Sequence, residues 1–185
     1  WYSGSGIYRD VNLWTGKDVY ISHDKLRITT LSVNDDMAVI EVCAQLKNII
    51  GHGLEAECLI EIKKDGQKTA SDTQRVVFRS EQMQTVRVQI PIEHPKKWSP
   101  KQPALYECHI TTKFDDKICD EAVSNFGIRV LALDPVRGLQ INGETVKLRG
   151  TCIHHDNGVI GAETFKEAEW YRCKRLKEAG FNAIR

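Results

Sequence analysis

The stretch LEAECLIEI at residues 54–62 decides the fold of the longer part of this chain. Every second side chain in it is apolar and would share one face: Leu54, Ala56, Cys58, Ile60 and Ile62. The opposite face carries three carboxylates: Glu55, Glu57 and Glu61. A period of two is that of a β-strand, because successive side chains point to opposite sides of a sheet. The stretch therefore predicts a strand with one buried face and one face in water.

Similar segments lie on both sides of this strand. Residues 40–46 and 86–92 repeat the alternation, and weaker candidates occupy 26–33, 73–78, 106–112 and 126–133. Turn signals separate them, with hairpins predicted at 64–67 and at 115–116. About seven short, half-buried strands within roughly a hundred residues are typical of an immunoglobulin-like antiparallel β-sandwich.

The pattern changes after Asp134. A hairpin is predicted at Asn142-Gly143, followed by a strand over 148–153. Residues 164–167 fit a capping box that would start a helix, and Gly180 would end that helix before a last strand over 181–185. A strand, a helix and a second strand form a βαβ unit, which implies parallel pairing. One such unit cannot bury both of its faces, so we expect it to belong to a larger domain.

Composition excludes several classes of function. The 185 residues hold 26 Lys and Arg against 25 Asp and Glu, a net charge of +1. This balance argues against nucleic-acid and membrane-surface partners, which favour a basic excess. The six cysteines include no C-x-x-C pair, which argues against a zinc knuckle and favours reduced thiols. A disulfide remains an alternative if the protein is exported. We also expect both ends of the chain to be cuts, since it starts at Trp1 and stops within a strand.

Four passages resemble glycoside hydrolase family 2, and its β-galactosidase branch most closely. The first three are GSGIYRDV at 4–11, WSP at 98–100 with PALY at 103–106, and FGIR at 126–129. The fourth comprises LQING at 139–143, KLRG at 147–150, HHD at 154–156 and LKEAGFNAIR at 176–185. Four matches in the family's order carry the resemblance, and they span nearly the whole chain.

The resemblance implies a division into three parts. Residues 1–12 would be the end of a preceding jelly-roll domain or a linker. Residues 13–133 would be the immunoglobulin-like β-sandwich. Residues 134–185 would be the N-terminal fragment of a (β/α)8 barrel, the catalytic domain of such enzymes. The chain would then be a piece of a retaining exo-β-glycosidase, with β-galactosidase as the expected activity of the parent. β-Glucuronidase and β-mannosidase are the alternatives within the family.

The resemblance places the chemistry of the parent mostly outside this chain. Retaining glycosidases use two carboxylates, one as acid/base and one as nucleophile. In the family both are glutamates on later barrel strands, beyond Arg185, so no catalytic residue is expected here and the chain alone should be inactive. Three positions match residues lining the family's sugar pocket. His154 would contact sugar hydroxyls, Asp156 is a second contact, and Arg185 would position the nucleophile carboxylate through its two-donor guanidinium.

Other interpretations stay open. His154, His155 and Asp156 also suggest a metal site, but neighbouring loop residues seldom converge on one ion, so we expect no metal and no cofactor in this part. A metal ion in the parent stays open. The expected partners are a β-galactoside or related glycan and neighbouring domains of the same chain. Family members that digest external glycans are often exported, so we expect the parent in the periplasm or outside the cell. A stand-alone carbohydrate-binding or adhesion sandwich, with Trp1, Trp14 or Trp98 stacking on sugar, is the rival hypothesis.

Overall fold

A computed structural model describes residues 6–7, 9–79 and 82–185 of the chain. The described residues form thirteen strands: β1 Val19–Ile21, β2 Arg27–Val33, β3 Met37–Asn48, β4 Leu54–Lys64, β5 Gln67–Phe78, β6 Met83–Glu93, β7 Tyr106–Phe114, β8 Lys117–Phe126, β9 Leu131–Asp134, β10 Gly138–Ile141, β11 Glu144–Thr145, β12 Gly150–Thr151 and β13 Ala183–Ile184. One α-helix, α1, spans Lys166–Glu178, and two 3₁₀ turns cover His23–Lys25 and Gly158–Ile160. No helix among these residues is long and apolar enough to cross a membrane.

The chain divides into two compact units. The sandwich unit is Thr15–Glu144, and the helical unit is Thr145–Arg185 together with the described part of Trp1–Trp14. The domain boundary predicted at residue 134 stays a prediction about the longer protein, while the compact unit seen here extends to Glu144.

Two antiparallel sheets build the sandwich unit. In the first, β6 pairs along one edge of β3, and β2 and β1 follow one another along its other edge. The second has the order β5-β4-β7-β8. The inward side chains of both sheets form one continuous apolar core, in which Ile60, Ile110 and Ile40 are fully buried. The mainly β sandwich predicted from the alternation at residues 54–62 is therefore confirmed.

Strand β1 ties the two sheets together. Its Val19 carbonyl accepts a hydrogen bond from the Thr112 hydroxyl of β7 at 2.7 Å, and Thr112 is fully buried. The Ile21 amide donates to the carboxylate of Asp120 on β8 at 2.8 Å. Burying a hydroxyl is costly unless it has a partner, so this bond makes the internal position of Thr112 tolerable.

The predicted hairpins are present. β4 and β5 meet at Asp65-Gly66, and β7 and β8 meet at Asp115-Asp116. β10 and β11 meet at Asn142-Gly143. All of these turn residues have positive φ, between 52° and 83°. Positive φ at both central residues is what a two-residue type I′ turn requires, because its twist matches that of the strands.

Two expectations for the last part of the sandwich unit are wrong. A single strand was expected over 126–133, but β8 ends at Phe126 and β9 begins only at Leu131. β8 itself was not among the expected strands. Its register shifts at the pair Thr112–Lys113, which leaves Cys119 as an extra residue. This bulge breaks the period of two, so the buried side chains are Cys119 and Ala122 and the alternation disappears from the sequence.

The helical unit contains the predicted βαβ arrangement. β12 and β13 pair in parallel, with Gly150 opposite Ala183 and Thr151 opposite Ile184. One residue of the last motif, Asn182, holds the start of this pair. The Asn182 side chain accepts from the Arg149 amide at 2.7 Å and donates to the Lys147 carbonyl at 3.0 Å. The parallel fold of this part is therefore confirmed, whereas its membership of a barrel stays a prediction.

Of the two ends predicted for α1, one is wrong and one is confirmed. The capping box predicted at 164–167 is wrong: the residue preceding the helix is Phe165, and no side chain caps the helix start. The Thr164 hydroxyl lies instead 3.5 Å from the His155 ring. The C-terminal signal is confirmed. Gly180 has φ of 90°, and the amides of Gly180 and Phe181 donate to the carbonyls of Lys177 and Leu176. These two bonds form a Schellman motif, which requires a residue with positive φ.

Candidate functional site

The C-terminal ends of β12 and β13 meet at one edge. The Arg185 amide donates to the Thr151 carbonyl at 2.9 Å, and the Ile153 amide donates to the Arg185 carbonyl at 2.9 Å. These bonds continue the parallel ladder past the last strand residues. Arg185 therefore lies beside Ile153, directly before His154 in the chain. The structure brings the backbones of these two predicted site residues together, although they are far apart in sequence.

His154 is exposed and lies in a loop, residues 152–157, that we name the His154 loop. Its carbonyl accepts two hydrogen bonds, from the Asp156 amide at 2.9 Å and from the Arg172 guanidinium of α1 at 3.2 Å. The backbone of the residue is thus held from the helix, and its imidazole lies at the exposed edge. A role in binding sugar stays a prediction.

Asp156 and Arg185 have different surroundings. Asp156 is exposed and lines an open depression together with Ile160, Tyr171 and Leu176, among others. Arg185 is exposed as well, and its guanidinium donates to the Cys152 thiol at 3.6 Å. Neither Arg185 nor His154 lines that depression. The three predicted residues therefore share one region of the helical unit but not one cavity.

The neighbouring His155 connects two motifs that the sequence keeps apart. Its Nε2 contacts the guanidinium of Arg9, and its Nδ1 lies 3.5 Å from the Thr164 hydroxyl. Arg9 comes from the passage at 4–11, of which Gly4, Ser5 and Tyr8 lie outside the described residues. Sequence reasoning did not select Arg172, and it singled out Thr164 only as a helix cap and Arg9 only as part of the passage at 4–11. Only their membership of, or proximity to, recognised motifs could have pointed to them.

Two glutamates of the helical unit, Glu169 and Glu178, make local ion pairs. Glu169 lies 3.8 Å from Arg172, and Glu178 lies 3.4 Å from Arg175. These are contacts between residues three apart, which are neighbours on a helix surface. Among the residues that the structure describes, no group of three or more His, Cys, Asp or Glu side chains is arranged to hold a metal ion.

The outer face of the second sheet carries a shallow charged groove. Glu55 is paired with Arg75, and Glu57 lies 3.5 Å from Lys113. Opposite charges on neighbouring strands stabilise a sheet modestly. The groove is therefore accounted for by cross-strand ion pairs.

Trp98 is engaged in packing within the sandwich unit. The Arg129 guanidinium lies 4.2 Å from the centre of its ring, and a Cβ added at Gly127 would come within 2.8 Å of its side chain. Its carbonyl accepts from the Asn142 side chain at 2.9 Å. Three of the recognised passages thus meet at one tryptophan. This arrangement favours a structural role for Trp98 over sugar stacking, and Trp1 lies outside the described residues.

All six cysteines are free thiols. Burial raises the pKa of Cys58 to about 12 and that of Cys108 to about 12, the latter with a smaller effect from the nearby Cys58. A thiol with such a pKa stays protonated at neutral pH and behaves as a small apolar side chain. Cys152 and Cys173 are exposed.

Comparison with known proteins identifies the family. The profile of glycosyl hydrolases family 2 matches residues 19–129. A solved family 2 member from Bacteroides cellulosilyticus superposes with a TM-score of 0.92 at 33% identity, covering 100% of this chain and 24% of that one. Among curated proteins, a β-galactosidase of Bacteroides ovatus is 29% identical over 100% of this chain and 22% of its own length. A β-glucuronidase of Bacteroides fragilis is 28% identical over 97% and 27%.

The chain thus spans about a quarter of the length of these proteins. The profile covers the sandwich from β1 to the end of the FGIR passage, and the similarity to the solved structure extends through the βαβ unit. On this evidence the chain belongs to glycosyl hydrolase family 2.

Proposed function

We propose that the chain is a non-catalytic part of a longer retaining exo-β-glycosidase that removes terminal β-galactosides. The sandwich unit would support the catalytic domain, and residues 134–185 would form the opening of a (β/α)8 barrel. The observation that carries the proposal is the parallel β12–β13 pair, whose C-terminal ends bear His154 and Arg185. Barrels of this kind place their active sites at the C-terminal ends of their strands.

Each candidate residue has a proposed role in the parent. His154 and Asp156 would bind sugar hydroxyls, and Arg185 would orient the nucleophile carboxylate through two parallel N–H donors. The acid/base and nucleophile glutamates would lie on strands that follow Arg185. Their different environments would keep one carboxyl protonated and the other ionised near neutral pH.

A β-glucuronidase is the second candidate for the parent activity. The specific observation in its favour is that proteins with this name match the chain as well as β-galactosidases do, at 28% against 29% identity. The lean towards β-galactosidase rests on the passage HHD at 154–156 with Gly158 and Gly161. Sugar identity is decided by groups that touch the substrate, and most of these would lie beyond Arg185.

Hydrolysis of chromogenic β-galactoside, β-glucuronide and β-mannoside substrates tests the proposal. We expect no turnover by the 185-residue chain, and turnover of one substrate by the longer protein. Turnover by the chain itself, surviving repurification and lost in a Glu163→Gln variant, would contradict the proposal. Glu163→Gln is informative because it changes a local carboxylate and leaves α1 intact.

The rival hypothesis of a stand-alone carbohydrate-binding module is tested by titrating the chain with galactosides and β-glucans. We expect no saturable binding, because the charged groove on the second sheet is occupied by ion pairs. Saturable binding that is lost in a Trp14→Ala variant would favour the module. The proposed partners are accordingly a glycan, through the parent, and neighbouring domains of the same chain. A periplasmic or extracellular parent is proposed as well, and fractionation of the native host tests it.

A further inference from the structure

The His154 loop depends on contacts from other segments for its orientation. It belongs to no strand or helix, and it joins β12 to the 3₁₀ turn Gly158–Ile160. Within it, the Asp156 amide donates to the His154 carbonyl, and the Asn157 amide donates to the Gly161 carbonyl at 2.8 Å. These bonds set the shape of the loop. Its position relative to β12 and α1 requires further contacts.

Arg172 supplies one of these contacts from α1. Its Nη1 donates to the His154 carbonyl at 3.2 Å, and Glu169, one helical turn earlier, lies 3.8 Å from the same nitrogen. Both side chains are shielded, with 25% and 29% of their surfaces exposed. The carboxylate therefore restricts the guanidinium to the side of the helix where the loop lies. A hydrogen bond from a charged donor is stronger than one between neutral groups.

Arg9 supplies a second contact through His155. A guanidinium has only donors, so His155 Nε2 must be the acceptor in the Arg9 contact. The ring proton then resides on Nδ1, which lies 3.5 Å from the Thr164 hydroxyl and can donate to it. The tautomer of His155 is thus set by the partners of both nitrogens. The ring is held between the segment before the sandwich and the segment before α1.

We propose that Arg172 and Arg9 are positioning residues that fix the His154 loop and thereby hold His154 and Asp156 in place for a sugar. Arg172 acts on the loop backbone, and Arg9 acts through the neutral His155 ring. The assignment of His154 and Asp156 to sugar binding rests on the proposed function. We call the contacts of Arg172 and Arg9 with the His154 loop the clamp. The clamp rests only on the geometry of these contacts.

Amide hydrogen exchange of the longer protein, followed by mass spectrometry, tests Arg172. In the wild type we expect the hydrogen-bonded amides of Asp156 and Asn157 to exchange slowly, and in Arg172→Met we expect them to exchange at least about tenfold faster. Arg172→Lys, which keeps one charged donor, should give intermediate values. Lys174→Met is the control on the same helix, because Lys174 pairs with Glu178 and does not line the depression that holds Asp156. An unchanged loop in Arg172→Met, or equal loosening in Lys174→Met, would overturn the role of Arg172.

The tautomer of His155 tests Arg9. Imidazole ¹⁵N shifts at neutral pH should show the proton on Nδ1 in the wild type and lose this preference in Arg9→Met. Arg9→Lys keeps a charged donor and should retain it. A wild-type ring that carries its proton on Nε2 would exclude Arg9 as the donor and overturn its role.

Kinetics of the longer protein separate the clamp from the function. With both proposals correct, Arg172→Met lowers kcat/KM by about tenfold or more through misplacement of sugar contacts, and Lys174→Met leaves it unchanged. A loop that loosens without any change in kcat/KM would refute the sugar-binding role and leave the clamp standing. A loop that stays rigid in Arg172→Met would refute the clamp whatever the kinetics.

Discussion

The sandwich unit and the helical unit differ most in what they bury. Every apolar side chain that is fully or nearly fully buried among the described residues lies between Val19 and Ile141. In α1 no residue is buried, and Trp170 and Tyr171 are 63% and 58% exposed. The sandwich unit closes its core between two sheets of long strands. The helical unit has one parallel pair of two-residue strands and one helix.

The difference shows why the two antiparallel sheets close a core within this chain and the βαβ unit does not. Antiparallel sheets need only one covered face each, and two of them cover one another. A parallel βαβ unit leaves one face of its strands without a helix and the sides of its helix without neighbours. We therefore expect the sandwich unit to supply most of the free energy of unfolding. Four predictions probe this contrast.

The largest effect is expected from removing core volume. Ile60→Ala should lower the free energy of unfolding by about 2–5 kcal/mol, because Ile60 is fully buried and its loss leaves a cavity. Leu176→Ala in α1 should cost less than about 1 kcal/mol, since Leu176 is only partly buried. Urea unfolding followed by circular dichroism measures both. Leu59→Ala, on the outer face of the same strand, is the control for Ile60. Equal losses at Ile60 and Leu176 would show that the helical unit has a core of its own.

Alkaline pH should destabilise the sandwich unit through its buried thiols. The folded pKa values of Cys58 and Cys108 are raised to about 12 from an ordinary value of 9.0. Their stabilising contribution is therefore complete below pH 9 and is lost as pH rises towards 12, because the unfolded thiols ionise first. Each thiol should remove about 1.4 kcal/mol per pH unit in this window.

Urea midpoints at pH 8, 9 and 10 measure this loss. In a Cys58→Val, Cys108→Val double variant, the urea midpoint should fall less steeply with pH. Comparing the two slopes cancels the contribution of the other titrating groups. Cys152→Ser, at an exposed position of the helical unit, is the control and should not alter the slope. A double variant with the slope of the wild type would contradict the prediction.

The third effect is expected where the chain leaves β8, the last strand of the second sheet. Gly127→Ala should destabilise by about 1–3 kcal/mol, because its Cβ would lie 2.8 Å from Cβ, Cγ and Cδ1 of Trp98. Gly150→Ala in β12 is the matched control, since its Cβ would make an ordinary contact at 3.4 Å with Ala183. Thermal unfolding measures both. If Trp98 is the cause, Gly127→Ala should cost little in a Trp98→Ala background, and additive losses would exclude that cause.

The smallest expected effect is a gain in stability. Asp116→Gly should stabilise by about 0.5 kcal/mol, because Asp116 has φ of 57° and a left-handed conformation is less costly for glycine, even after its larger entropy loss. Gly66→Ala, in the corresponding turn between β4 and β5, should destabilise by a similar or larger amount. Urea midpoints measure both changes. A destabilising Asp116→Gly would mean that the aspartate side chain contributes more than the backbone strain costs.

The features that sequence reasoning predicted correctly depend on neighbours in the chain. Alternation marked β3, β4 and β6, pairs such as Asp65-Gly66 and Asn142-Gly143 marked type I′ turns, and Gly180 marked the end of α1. Each of these features has a steric cause that involves only one residue or a few consecutive residues. The capping box failed because Thr164 turns to His155, a partner that becomes adjacent only after folding.

The candidate site was predictable only in part. His154, Asp156 and Arg185 were found through their motifs, and the parallel pairing of β12 and β13 explains why His154 and Arg185 share an edge. Of the residues that hold the loop, Arg172 carries no sequence signal, and Arg9 is marked only by its place in the passage at 4–11. Arginines are common on any protein surface, and the partner of a given arginine cannot be known before the segments meet.

By itself, the sequence determined the two kinds of architecture, the places where the chain turns and the family to which it belongs. These follow from side-chain periodicity and from the backbone preferences of glycine and asparagine, which act over a few residues. The tertiary structure alone decided the bulge at Cys119, the contact of Trp98 with Gly127 and the clamp on the His154 loop. Each of these depends on contact between residues distant in the chain, whose energies exist only once the sheets and the helix have brought them together.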